Sequence, residues 1–536
     1  MWSAIAVFLA IAGLLLLREP CLGVADNLDF WRVMRPAGIE HLEPVKGPGQ
    51  FVHCTFVTSR SKLWTELSSP ALMAWAAKHL FGGLAESPNR MDLRQIGLLY
   101  LLVVAALLMA GVHWGAPPLL TAGWLYVLLD PGYLLFLNSF YADPALLVAV
   151  IGIGLWFVQP DPFGEGEPST WWRRGGSLCL VPLVVLGGAS KMQYVFLPAV
   201  GLLALVSLAF RRSRQLNSPV ERAASTYRVL RLPAVLLLVA VVVPWHFFRG
   251  PAPRFLEVNN YHAVYGGLLM VTGQPDLALR FLGIPPEYRD LPRRDVWTAM
   301  LPLDHPVLEH LEGLSRLRLL MLYLSEPGAI VAASDRIDEA LATVETHRRG
   351  SFPRGMGRGR WTQYGVPWQF SHLRGVLFGP WPDVVWLLFG AAAVWLATAA
   401  LRGRWRGREA ALLFLFLFAA SQLVVVILGD GFVALEQHLL GARFALDLLM
   451  VLLLHELAAS VVRHVWRRGV ALSALVVLMV GGAVAVHAQE PLVPSPAPPP
   501  DTAATQARFE TCAEAGHVGS EPGLQCWPSR CRGWRS

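Results

Sequence analysis

The segment IGLLYLLVVAALLMAGV, residues 96–112, decides what kind of protein this is. It carries no Asp, Glu, Lys or Arg, and it approaches the ~20 apolar residues that a helix needs to cross the hydrocarbon core of a bilayer. Working outward, similar runs recur at 1–17, 118–136, 144–158, 177–190, 193–210, 232–245, 382–401, 410–428, 439–460 and 470–486, which makes eleven candidate spans. Composition agrees: 54% of the residues are hydrophobic, 15% are charged, and mean hydropathy is +0.46. A soluble protein carries about 25% charged residues, so a soluble multidomain enzyme is excluded. The first run has no basic stretch before it and no small-residue cleavage site ahead of Arg18 and Glu19, which favours a retained helix over a cleaved signal.

Arginines orient the spans. Arg173 and Arg174, the group from Arg211 to Arg231, then Arg402, Arg404, Arg406 and Arg408, and finally Arg463, Arg467 and Arg468 all fall in alternate short loops. Positively charged loops stay cytoplasmic, so eleven spans with a cytoplasmic N-terminus put every basic loop inside. The net charge of +7 is then membrane anchoring, and no nucleic-acid role is needed. Four regions follow: a transmembrane module with an acidic first outer loop (1–248), an extracytoplasmic domain of mixed secondary structure (249–381), C-terminal membrane helices (382–487) and an outer tail (488–536). The tail opens with PLVPSPAPPP, a stiff spacer, and holds Cys512, Cys526 and Cys531. Together with Cys21 and Cys54 these face an oxidising side where disulfides persist. A clip within the tail, or from the tail to the first loop, is expected. Cys179 lies in a span as a small apolar residue.

Polar groups gather at the outer ends of the spans. Asp26 and Asp29 sit in ADNLDFWRVMRP just after the first span. Three apart, they share a helical face, either as a carboxylate site at the membrane mouth or as a solvated loop in which Asp26 caps a helix. The turn LLDPGYLLFLNSFYADP supplies Asp130, Asn138, Tyr141 and Asp143. Asp143–Pro144 reads as a helix start, and the surrounding rings suit saccharide stacking. Lys191, Gln193 and Tyr194 lie in an outer turn where a lysine serves no topogenic purpose, which suits a lipid phosphate; snorkelling is the bland alternative. NNYHAVYGGLL brings Asn260, Tyr261 and His262 to the start of the long loop, where a structural role for His262 competes with a catalytic one. Glu436 and His438 lie in the last outer turn, and Arg443 and Asp447 enter the following span, expected as an internal ion pair or as a cavity-facing site. No zinc spacing, P-loop or dinucleotide fingerprint is present.

In order along residues 20–450, DNLDFWRVM, DPGYLLFLNSFYADP, SKMQ, NNYHAVYGGLL and GDGFVALEQHLL resemble the motifs of GT-C class membrane glycosyltransferases, and more closely those of bacterial WsfD-like hexosyltransferases of glycan biosynthesis. Asp143 stands where relatives often carry Glu, a shorter reach for the same charge. The resemblance implies an all-α polytopic fold with about eleven transmembrane helices in a bacterial inner membrane, and an active site on the periplasmic or outer side. The implied reaction moves a sugar, a hexose by that likeness, from a polyprenyl-phosphate-type lipid donor to a cell-surface glycan acceptor. Asp26, Asp29 and Asp143 would be catalytic, and Lys191, Arg443 and Arg254 would hold the donor phosphate. Asn138, Tyr141, Gln193, Tyr194, Asn260, Tyr261, His262, Glu436 and His438 would line the substrate site. Mg²⁺ or Mn²⁺ held by Asp143 is left open. The competing expectation is a transporter or flippase of a lipid-linked glycan, which would use the same interfacial charges. No internal repeat of the kind common in transporters is visible, and 249–381 is too long for a plain connection.

Overall fold

A computed structural model describes residues 1–43, 49–61, 68–82, 87, 89–160, 171–215, 235, 238, 242, 253–294, 296, 299, 301–302, 304–342, 349–378, 383–403 and 405–467. The expected span at 470–486 and the tail with its three cysteines lie outside these residues, as does the expected span at 232–245 apart from residues 235, 238 and 242.

The described chain is a multi-span helical membrane protein. Four helices are long and apolar enough to cross a bilayer: α4 (Leu93–His113), α15 (Val384–Leu401), α16 (Gly407–Asp430) and the first 24 residues of α18 (Leu440–Arg467). Two bent pairs raise the number to as many as six. Shorter apolar helices, including α1 (Trp2–Leu16) and α7 (Asp143–Val158), pack among them. α7 is buried on every side, as expected of a helix apolar all round. It is the axis of the bundle, contacted by α4, α8 (Trp171–Gly188), α16 and α18.

The run 118–136, expected as one span, is broken. α5 (Pro118–Leu128) and α6 (Pro131–Leu134) with its 3-10 continuation to Asn138 meet at 71°. The cause is local: the Asp130 carboxylate accepts from Gly132 N–H at 2.8 Å and starts a new helix, with Pro131 at its first position. The first loop forms α2 (Trp31–Ala37), α3 (Ser69–Phe81) and a three-stranded antiparallel sheet of β1 (Ile39–His41), β2 (Thr55–Thr58) and β3 (Arg90–Asp92). A disulfide joins Cys21 to Cys54 within this loop, so neither pairs with the tail as one of the two expected clips required; a clip within the tail falls outside the described residues.

Between 253 and 378 the described elements are helical, so the strands expected there lie in the first loop. α9 (Leu197–Gln215) packs in the bundle against α8 and α16, and the elements between 253 and 378 include α10 (Pro253–Ala263), α11 (Pro275–Leu282), α12 (Arg316–Ser325), α13 (Pro327–Ala342) and α14 (Phe370–Phe378). Residues 258–333 form a second apolar core of their own, docked on the end of α16. The short α17 (Leu435–His438) then turns the chain into α18.

Candidate functional site

The two acids after the first helix do different work. Asp26 is buried, and both its oxygens are taken: Oδ1 accepts from Leu28 N–H at 2.7 Å and Phe30 N–H at 3.1 Å, and Oδ2 lies 2.9 Å from His41 Nε2. It shapes the turn into α2, where Leu28 adopts a positive φ of 80°. Asp29 points the other way and keeps 32% of its side chain exposed. It is the carboxylate of this pair with access to solvent.

Three remote segments close around it. Tyr141 donates to Ala25 C=O at 2.8 Å and accepts from Asn27 N–H at 3.0 Å, which pins the acidic turn to the start of α7. The Gln437 amide of α17 lies 3.2 Å from the Asn27 amide and 3.4 Å from Asp29 Oδ2. Arg349 arrives from far along the chain, because residues 349–353 thread between two arms of the first loop. Gly350 N–H donates to Gly49 C=O at 2.7 Å, Ala25 N–H to Gly350 C=O at 3.0 Å and Val52 N–H to Phe352 C=O at 3.0 Å. The buried Arg349 guanidinium stacks 4.4 Å over the Tyr141 ring. With the Asn27 amide turned to satisfy its neighbours, its oxygen accepts from Arg349 Nη2 at 2.9 Å and its nitrogen donates to Asp29 at 3.2 Å. Arg349 Nη1 is buried and makes no hydrogen bond among the described residues. A buried donor of this kind carries a desolvation penalty that an acceptor from a ligand would relieve.

Beside this cluster, Lys191 Nζ lies 4.0 Å from Asp143 Oδ1 and 5.9 Å from the centroid of the Tyr194 ring. Tyr194 donates its hydroxyl proton to the same carboxylate. Gln193 uses both amide protons, one toward Asp430 Oδ2 at 3.2 Å and one toward His438 Nδ1 at 2.7 Å. Nδ1 therefore accepts, and the imidazole carries its proton on Nε2. These segments all end or begin a helix, so the mouth lies at one end of the bundle.

The charges act on one another. Burial alone would raise the Asp29 carboxyl, but Arg32, Lys191, Arg349 and His438 outweigh it and hold the group at about 2. Burial, assisted by Lys191, lowers His438 to about 4 against the pull of Asp430, Asp29 and Asp143. At neutral pH the mouth thus presents an ionised carboxylate, a neutral imidazole and cations from Lys191 and Arg349.

Other expected residues serve elsewhere. Asn138 is fully buried, and its amide donates to Leu16 C=O at 2.8 Å and Leu22 C=O at 2.6 Å, holding the exit of α1. Asn260 donates to Leu311 C=O at 2.6 Å and accepts from Arg316. Tyr261 donates to Pro292 C=O at 2.7 Å, and His262 Nε2 accepts from Val296 N–H at 3.0 Å. That trio builds the second core. Glu436 makes no ion pair among the described residues. Arg254 lies in the first turn of α10, with its side chain outside the described residues. Asp447 meets Arg374 at 2.9 Å and Tyr133 at 2.6 Å, while Arg443 stacks 5.6 Å over Tyr133; the expected Arg443–Asp447 pair is a cluster recruited from α14 and α6. Asp143 offers a divalent cation one carboxylate already facing Lys191, and among the described residues no three His, Cys, Asp or Glu side chains gather as a ligand set.

Sequence reasoning missed Arg349, Asn27 and Gln437. Arg349 belongs to the pair Arg348–Arg349 in a long loop, where adjacent arginines read as solvated charge. No curated protein and no solved structure matches the chain. A family model described as the YfdI N-terminal transmembrane domain matches residues 2–472, most of the chain. This chain therefore belongs to the YfdI N-terminal transmembrane domain family.

Proposed function

We propose that the chain is a glycosyltransferase that moves a sugar, a hexose by the resemblance above, from a polyprenyl-phosphate-type lipid to a glycan acceptor at the extracytoplasmic face of the membrane. The observation that carries this reading is the convergence of Asp29 with Lys191, Arg349 and His438 at the mouth of an apolar helix bundle. Lipid tails would lie along the helices, while the phosphodiester sits between Lys191 and Arg349. The acceptor hydroxyl gives its proton to Asp29 as its oxygen bonds to the anomeric carbon. The bond from that carbon to the phosphate oxygen breaks, and the leaving phosphate keeps the electron pair beside the two cations. A carboxylate at about 2 is a weak base. Lys191 and Arg349, two of the cations that depress it, are the ones a bound phosphate neutralises, so donor binding itself raises its basicity. A single displacement of this kind inverts the anomeric centre. The eleven-span arrangement with a cytoplasmic N-terminus belongs to the same proposal.

Purified protein in nanodiscs, given a polyprenyl-phospho-hexose and a glycan acceptor, should release polyprenyl phosphate and yield extended acceptor. Lys191→Met should lower kcat/KM by roughly 10²-fold through loss of charge stabilisation. Movement of the intact lipid-linked sugar between leaflets of vesicles without bond cleavage would overturn the reading in favour of a flippase.

A further inference from the structure

The helices α12 and α13 together are as long and apolar as a membrane span, yet they bend by 103° and cannot cross as one rod. The elbow is locked: Glu326 accepts from Thr272 Oγ1 at 2.5 Å and from Gly273 N–H at 2.6 Å. α12 turns Leu319 and Tyr323 into the second core and leaves Leu317, Met321 and Leu324 exposed, at spacings of four and three on one helical face. Across the elbow, Ile330 and Val331 are exposed too. α11 packs against α12 and adds exposed Leu277 and Phe281, four apart. An apolar surface of this extent on a folded unit marks a protein or membrane contact.

Three features select the membrane. The hairpin is tied to the spanning bundle, since Arg316 Nη1 at the start of α12 donates to Leu428 C=O at 2.5 Å, in the last turn of α16. The apolar face therefore starts at the level where a span leaves the bilayer. Exposed Arg280 and Arg318 flank it, complementary to anionic headgroups. Polarity also runs along α13: its first turns expose Ile330 and Val331, whereas Asp335, Arg336 and Glu339 are exposed farther on. The geometry points to an amphipathic hairpin that dips into the lipid interface with its elbow leading and the distal half of α13 in water. Interfacial helices of this kind sit roughly 5–10 Å into the headgroup and acyl boundary. The hairpin's seat in the lipid does not depend on which reaction the mouth performs.

Nitroxide labels test it in the full chain, with Cys179, Cys512, Cys526 and Cys531 replaced by Ser and the Cys21–Cys54 bridge kept. Leu317→Cys, Met321→Cys, Leu324→Cys and Val331→Cys are labelled singly in phosphatidylcholine–phosphatidylglycerol vesicles, with Arg336→Cys as the aqueous reference. The four should collide more often with O₂ than with a water-soluble nickel chelate, reversing the ratio at Arg336→Cys. Nickel collisions matching Arg336→Cys would put the face in water. Protection from both reagents would mean that protein covers it, as a partner or a second copy. Either result overturns the proposal. Four exposed positions read independently keep the test decisive if one variant fails to fold.

Discussion

At Asp26 and Asp29 the same side chain, three residues apart, has two fates set by the backbone around it. Asp26 is spent on Leu28, Phe30 and His41, whereas Asp29 faces the mouth. Asp29→Asn should therefore leave a folded, membrane-inserted protein and reduce transfer by roughly 10²–10⁴-fold, the range of a lost general base. Asp26→Asn should instead reduce the yield of folded protein, seen as aggregation on size exclusion. Normal yield for Asp26→Asn together with full activity for Asp29→Asn would reverse the assignment. The sequence pattern located the acidic turn but left the two roles open, because spacing says where carboxylates lie and nothing about which N–H groups they meet. Titration gives a second expectation. His438 falls from 6.5 to about 4 on folding, so the unfolded chain binds more protons between those values, and stability declines as pH drops through that window. Asp29 falls from 3.8 to about 2, and its contribution, present above 3.8, is lost as pH falls toward 2. Neither group changes charge from about pH 5 to 8 in the free protein, so neither should inflect kcat/KM there. An inflection in that range that disappears in His438→Gln would contradict this.

Among the elements, long apolar runs announced themselves and breaks within them did not. The spans at 96–112, 382–401, 410–428 and 439–460 correspond to helices because uninterrupted apolar composition permits little else in a bilayer. The break at Asp130–Pro131 inside 118–136 was visible only as a capping residue followed by proline, a pair that apolar neighbours on both sides made easy to read through. The bend matters to the site, since it leads the chain through Asn138 to Tyr141 and Asp143. Asn138 secures that path from within the bundle. Its amide satisfies two carbonyls at the end of α1, and it packs so tightly on α4 that a Cβ at Gly97 would collide with its Oδ1. Asn138→Ala should leave the Leu16 and Leu22 carbonyls without that donor and destabilise the protein by about 1–3 kcal/mol. A thermal melt in detergent measures the loss, and an unchanged midpoint would show that water or a neighbouring group replaces the amide.

For the whole molecule, the mouth exists because chain segments hundreds of residues apart are knotted together at one end. Residues 349–353 lie between the arms of the first loop, beside the segment that the Cys21–Cys54 bridge closes, and this is what delivers Arg349 to Asp29. Local sequence could not announce it: the strand-like contacts of Gly49, Gln50 and Val52 with Gly350 and Phe352 involve short, unremarkable stretches. At the opposite ends of the helices, Arg408 meets Glu456 at 2.6 Å and Glu409 at 3.4 Å, in the loop region that also carries Arg402 and Arg406. If basic loops are retained in the cytoplasm, the two ends must lie in different compartments, with the disulfide on the oxidising one. Single cysteines at Arg354 and Arg402, both exposed, read this directly in cells after replacement of the free cysteines. Arg354→Cys should react with a membrane-impermeant maleimide applied from outside, and Arg402→Cys only after permeabilisation. The reverse pattern would place Asp29 and Lys191 in the cytoplasm, where an extracytoplasmic acceptor could not reach them.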